Sequence, residues 1–186
     1  MAVGPVYDPL YLRHDTGQHV ENAARLEETM RLLDASGVRD QLIQVQPEPA
    51  ERRELLLVHS TDHVSNVEAM ARSGGGWLDG DTVTSPESYD VAISAVGGTL
   101  AAATSVIEGQ AQSAFALVRP PGHHATRTRA MGFCLFNNIA ITARHLVEKR
   151  GIERVLIVDF DVHHGNGTQE AFYGDPAVLY FSTPNE

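Results

Sequence analysis

Val155-Leu156-Ile157-Val158-Asp159-Phe160-Asp161-Val162-His163-His164-Gly165-Asn166-Gly167 is the stretch on which the fold turns. Its first four residues are aliphatic without polar alternation, as a strand covered on both faces requires. The rest brings two aspartates, two histidines, an asparagine and two glycines to the strand's carboxyl end, where ligands gather in open parallel sheets. Asp161 and His163 are two apart, so in extended backbone they project to one side, where a carboxylate oxygen and an imidazole nitrogen can share a divalent cation. Asp159 projects the same way. Burying such groups without a metal or mutual hydrogen bonds is costly. An isolated Asp-x-His pair is more often a chance feature of a polar surface loop. Here the strand before it, and the freedom of Gly165 and Gly167 after it, weigh toward a ligand pair.

Outward from this stretch, short apolar runs alternate with segments of helical period, which predicts an α/β fold built on a parallel sheet. Further strands are predicted at Ala114–Val118 and Ala177–Phe181, with Leu55–Val58 as a fourth candidate. Helices are predicted over Asn22–Ala35, Thr61–Arg72, Glu87–Glu108 and Asn137–Arg150. No repeat or linker divides residues 1–186, so a single domain is expected. Ser73–Pro86, with Ser73-Gly74-Gly75-Gly76-Trp77 at its start, reads as the one extended loop, either functional or a surface connection.

The composition narrows the possible functions. The 186 residues carry 24 acidic side chains against 14 Lys and Arg, a formal net charge of -10. That balance argues against holding nucleic acid by bulk electrostatics, which needs clustered cations. The single cysteine, Cys134, excludes an intramolecular disulfide and a Cys-rich zinc site. No apolar run is read as approaching the roughly 18 residues that span a bilayer, and the N-terminus lacks the features of a signal peptide. A cytoplasmic location is therefore expected, or a nuclear one in a eukaryote, with no membrane partner.

A second unusual segment, Arg119-Pro120-Pro121-Gly122-His123-His124-Ala125, follows the Ala114–Val118 strand. Adjacent histidines in a stiff turn suit general acid–base work, because their surroundings can push two imidazole pKa values apart. Standing alone they would read as two solvated loop residues. They share the chain with the His163-His164 doublet, and Asp159 and Asn166 lie close in sequence to orient imidazoles. Phe133 in Gly132-Phe133-Cys134 is equally readable as a channel wall or as plain core. Cys134 reads as a small buried residue, since no nucleophile–base pattern points at it.

Three ordered blocks carry a family resemblance. Arg119–Ala125, Gly132-Phe133-Cys134-Leu135-Phe136-Asn137-Asn138 and Asp159–Gly167 with Thr168-Gln169 resemble the signature blocks of the histone deacetylase family. That family includes acetylpolyamine amidohydrolases and acetoin-utilisation proteins. The resemblance implies a three-layer parallel sheet of the arginase/deacetylase type, of which this chain matches the N-terminal half or so, the C-terminal part being missing. It makes Asp161 and His163 two of three protein ligands of a catalytic zinc, His124 the general base and later acid, and His123 its electrostatic partner. Asp159 would orient His123, and Asn166 would orient His124, with Asn at 166 similar to the class II branch.

The resemblance also implies a structural potassium site from Asp159, Asp161 and Ser182 with the His163 and Thr183 carbonyls, and an outer one at Phe172, Asp175 and Val178. Gly132 and Phe133 would line the acyl-lysine tunnel, and Asp81, with Asp79 as competitor, would grip substrate amides at the rim. His19-Val20-Glu21-Asn22-Ala23-Ala24-Arg25-Leu26 is a looser match, in which Arg25 corresponds to the arginine of an internal acetate-release cavity. Val20, Phe160 and Pro184 depart from the usual residues and bear on loop shape.

The implied activity is zinc-dependent removal of acetyl groups from protein lysines. Alternatives are an acetylpolyamine amidohydrolase and a non-catalytic fragment or interaction module, and a homo-oligomer is allowed. The third zinc ligand and the oxyanion tyrosine match nothing before Glu186. The expectation is therefore weak or absent zinc binding and no turnover by these residues alone, unless a second polypeptide supplies the remainder.

Overall fold

The computed structural model describes residues 2–183. Strand β1 (Val3–Val6) leads through a 3-10 turn, Pro9–Arg13, to helix α1 (Ala24–Ser36). Short α2 (Arg52–Leu55) and α3 (Thr61–Arg72) follow, then β2 (Gly76–Asp79) and β3 (Thr82–Thr84). The long α4 (Ser88–Ile107), β4 (Ser113–Ala116) and α5 (Asn138–Arg150) precede β5 (Val155–Asp159), α6 (Asn166–Phe172) and β6 (Val178–Ser182).

The strands fall into three pairs. β1 runs parallel to β4, with Val3 opposite Ser113 and Val6 opposite Ala116. β5 runs parallel to β6, from Val155 opposite Val178 to Asp159 opposite Ser182. β2 and β3 form an antiparallel hairpin. The parallel α/β reading holds for the first two pairs, and α4 packs on β1, β4 and α5. β4 and β5 are not hydrogen-bonded to each other, and a cleft of about 440 Å³ lies between Ala116 and Val118 on one side and Ile157 and Val158 on the other. Phe115, Leu156, Val158, Leu179 and Phe181 are exposed, so part of each of these strands is bare.

Three expectations need correction, and two elements were not foreseen. Leu55–Val58 is no strand: Glu51 and Glu54 exchange side-chain to backbone hydrogen bonds in a capping box that nucleates α2, and its aliphatic residues finish a helical turn. Ser73–Pro86 is not one loop, because Asp79-Gly80 between β-forming residues closes the β2–β3 hairpin. β1, short and carrying Gly4 and Pro5, shows too little alternation to be read in advance, and α6 lay hidden inside the metal-ligand segment. Finally, α4 is long and apolar enough, at a mean hydropathy of 1.5, to meet the length and composition of a membrane span. Here it is the central core helix, with twelve of its twenty residues buried.

The main core joins Val64 and Val67 of α3, Ala92 and Val96 of α4, Leu135, Phe136 and Ile141. α4 carries Gly97 where any Cβ would overlap the Glu48 carbonyl, so the Glu48–Ala50 segment can lie directly on the helix. Ala50 N–H donates to the Ile93 carbonyl at 2.9 Å along the same contact.

Candidate functional site

After β4 the chain turns inward and Arg119 becomes fully buried. Its guanidinium makes a bidentate pair with Glu21, both N···O distances being 2.9 Å, and donates to the Tyr11 and His14 carbonyls at 3.1 and 2.8 Å. Asn138 Nδ2 holds the Pro120 carbonyl at 3.1 Å. The two histidines that follow are therefore presented from an anchored backbone.

Each imidazole donates from Nδ1 to its own acceptor: His123 to Asp159 Oδ2 at 2.9 Å and His124 to Asn166 Oδ1 at 2.7 Å. The ring centroids are 4.1 Å apart. With both Nδ1–H groups engaged, a neutral ring keeps its Nε2 lone pair free. Burial pushes the His124 pKa below the ordinary imidazole range, against the opposing effect of its bond to Asn166, so the ring is uncharged at neutral pH and its Nε2 lone pair is open to a proton. Burial alone would raise the Asp159 carboxyl, but hydrogen bonds from His123, Tyr180 and the Asp161 N–H outweigh it and hold the group ionised. His123 lines the cleft between β4 and β5, while His124 lines a second cavity of about 400 Å³ with Asp79, Asp81, Met131, Gly132 and Asn166. The tandem pair is thus the wall between two cavities.

Asp161 and His163 do come together on the loop after β5. Asp161 Oδ1 accepts the His163 N–H at 2.8 Å and lies 3.2 Å from His163 Nδ1, so an oxygen and a nitrogen donor stand side by side. Both side chains are exposed. Among the described residues no group of three or more His, Cys, Asp and Glu side chains is arranged to hold a metal. The pair fits two positions of a zinc site, which takes three protein ligands and an open place.

Ser182 Oγ is buried without a hydrogen-bond partner among the described residues, and Ser182 is opposite Asp159 in the β5–β6 register. An orphaned hydroxyl beside a carboxylate fits an oxygen-coordinated cation such as potassium. Asp175, assigned to the outer cation site, is ion-paired to Arg144 and accepts the Ala177 N–H at 2.8 Å. Phe172, Asp175 and Val178 line a common cavity with Tyr180 and Ser182. Pro184 lies outside the described residues.

Met131-Gly132-Phe133-Cys134 forms a tight two-residue turn, closed by reciprocal bonds between Met131 and Cys134 at 3.2 and 3.0 Å. Gly132 and Phe133 have φ of 56° and 70°, the pattern of a type I′ turn. A Cβ on Gly132 would overlap the His124 ring, so glycine is needed here for close approach as well as for φ. The Phe133 ring meets His19 edge-on, with centroids 4.6 Å apart. Asp81 Oδ1 accepts the Gly132 N–H at 3.1 Å, which ties the predicted rim residue to the predicted tunnel residue. Arg25 is half exposed, donates to the Val118 carbonyl at 3.1 Å and lies 3.5 Å from Glu21. Burial raises the Cys134 thiol to about 12, which keeps it protonated and unreactive.

Three contributors were not read from the sequence. Tyr180 O–H donates to Asp159 Oδ2 at 2.8 Å and accepts the Gly165 N–H at 3.0 Å, joining β6 to the His123 pair. Its place in a strand marked it only as sheet. His59, fully buried, donates from Nδ1 to the Thr126 carbonyl and accepts the Asn137 N–H at Nε2, both at 2.9 Å, and so holds both ends of the 126–137 loop. Thr82 lies beneath the turn that carries Phe133. Nothing in local sequence marks the last two.

Residues 19–185 match the histone deacetylase domain family. A probable deacetylase from Methanothermobacter thermautotrophicus is 46% identical over 178 residues, covering 95% of this chain and 52% of the relative. Histone deacetylase 9 of Homo sapiens is 38% identical, over 97% of this chain and 21% of that protein. The crystal structure of the HDA15 HD domain superposes with a TM-score of 0.90 at 38% identity, over 97% of this chain and 52% of that one. The chain therefore spans about half the length of the archaeal relative and of the solved domain.

Proposed function

The chain belongs to the histone deacetylase domain family, and from that premise we propose that the protein to which it contributes is a zinc-dependent deacetylase that removes acetyl groups from protein lysine side chains. The observation that carries the reading is the tandem His123–His124 pair, each ring held through Nδ1 by its own acceptor, beside the convergent Asp161 and His163. The similarity to proteins named as deacetylases supports the same reaction class.

In this reading Asp161 and His163, with a ligand from outside the described residues, would hold a zinc ion, which when bound would supply Lewis-acid polarisation of the acyl carbonyl. His124 Nε2 takes a proton from the attacking water as its oxygen bonds to the acyl carbon. The Asn166 bond keeps the His124 proton on Nδ1 and the lone pair on Nε2. As the C–N bond breaks, His124 returns the proton to the amine, giving lysine and acetate. His123 is held through Nδ1 by the ionised Asp159, and the imidazolium form of its ring, stabilised by that carboxylate, would donate from Nε2 to the developing oxyanion. Ser182 and Asp159 would hold the potassium ion that steadies the β5 end.

The test is hydrolysis of an acetyl-lysine peptide by the whole protein, against acetylputrescine as comparator. His124→Ala and Asp161→Ala should each lower kcat/KM by at least about a thousandfold. Full activity in both variants would refute the assignment, and preference for acetylputrescine would move the substrate to polyamines.

A further inference from the structure

The Asp81-Thr82 dipeptide and the Gly132-Phe133 turn form a closed ring of hydrogen bonds. Gly132 N–H donates to Asp81 Oδ1 at 3.1 Å, Phe133 N–H donates to Thr82 Oγ1 at 3.1 Å, and Thr82 O–H donates to Asp81 Oδ1 at 2.9 Å. Thr82 is fully buried, so the Phe133 N–H has no solvent to fall back on if the hydroxyl is removed. The turn needs such help. A type I′ turn wants φ > 0 at both central residues, and an aromatic side chain at the second one is held against its own preference. Phe133, at φ 70°, is the one non-glycine residue with positive φ among the described residues. Its ring meets His19 edge-on, while the adjacent Gly132 lies directly against the His124 ring and lines the cavity beside it.

We propose that Asp81 and Thr82 are positioning residues that clamp the Gly132-Phe133 turn and so fix how closely Gly132 stands to His124, which, with Asp79, Gly80 and Asp81 lining the same cavity, makes the β2–β3 hairpin the determinant of the acyl size the site accepts. The clamp itself rests on geometry; its consequence for acyl selection rests on the deacetylase reading above. The hairpin bridges to the turn across 51 residues of chain, so a change in hairpin sequence would retune the wall without touching His123, His124, Asp161 or His163.

Amide hydrogen exchange by NMR on this chain tests the clamp with Thr82→Val, and Thr82→Ser is the rescue. Thr82→Val should raise exchange at Phe133 and Gly132 by about tenfold or more while the Val64 and Ile141 amides keep wild-type rates, and Thr82→Ser should restore protection. Unchanged exchange at Phe133 in Thr82→Val overturns the clamp. On the whole protein, the kcat/KM ratio between butyryl-lysine and acetyl-lysine peptides should shift by about tenfold in Thr82→Val, mostly through KM, and return in Thr82→Ser. Raised exchange with an unchanged acyl ratio overturns the selectivity role. If the wild-type protein hydrolyses neither peptide, the deacetylase reading fails and the exchange rates alone decide the clamp.

Discussion

Arg119 and Glu21, 98 residues apart in sequence, form a bidentate ion pair in which the arginine is fully buried. The pair joins the segment before α1 to the segment that delivers the tandem histidines, and Arg119 also collects the Tyr11 and His14 carbonyls. Burial favours neutralising Glu21, but hydrogen bonding and charge from Arg119 prevail and hold its carboxyl below the ordinary range. Glu21→Gln leaves a desolvated guanidinium with an incomplete partner, so it should cost about 3–5 kcal/mol in urea unfolding. A cost below about 1 kcal/mol would mean that water replaces the carboxylate.

Acid should weaken the fold through two buried histidines outside the candidate metal site. Burial, with His63 beside it, lowers His59 from 6.5 to about 3, and burial, with Arg119 nearby, lowers His14 from 6.5 to about 4. A depressed histidine pKa means that the unfolded chain takes the proton first. The contribution is whole above pH 6.5 and is lost as pH falls from 6.5 toward the folded values. Between pH 6.5 and 4 each histidine removes up to about 1.4 kcal/mol per pH unit. Denaturant unfolding at pH 7.5, 6 and 5 checks this, and equal stability at all three would show that both rings ionise freely in the native state.

What the sequence disclosed follows the range of the interactions. α3 and α5 were readable because their own periodicity and caps define them: Ser60 accepts the His63 N–H, and Asn137 accepts the Ala140 N–H. The His123 and Asp159 blocks were readable because adjacent chemistry-bearing residues stand at strand ends. β1 was not, since its pairing with β4 is set by a partner over a hundred residues away and its own Gly4-Pro5 opposes a strand. Thr82 and Tyr180 carry no local mark either, because each acts through hydrogen bonds to residues distant in sequence that were already visible.

Tyr180→Phe removes one hydroxyl that serves two partners. Asp159 loses the bond at 2.8 Å and the Gly165 N–H loses its acceptor at 3.0 Å, both next to the loop bearing Asp161 and His163. Loss of such a supporting bond typically costs ten- to a hundredfold in activity or metal affinity. The expected outcome on the whole protein is a fall of about tenfold or more in kcat with little change in KM, and about 1–2 kcal/mol of stability in this chain. A kcat equal to wild type would show that Asp159 holds His123 without the tyrosine.

Gly132→Ala offers the sharpest test of how the turn and the base are coupled. Two penalties meet at that position: a φ of 56°, which costs alanine about 1 kcal/mol, and a Cβ that would overlap the His124 ring. A backbone penalty alone would be the same whatever occupies position 124. A steric one would be relieved when the ring is removed. Gly132→Ala should therefore destabilise the chain by about 2–4 kcal/mol in the wild-type background and by about 1 kcal/mol with His124→Ala, a coupling well above the scatter of additive pairs. Equal costs in the two backgrounds would mean that His124 moves aside freely, and that its bond to Asn166 at 2.7 Å does not fix the ring in place.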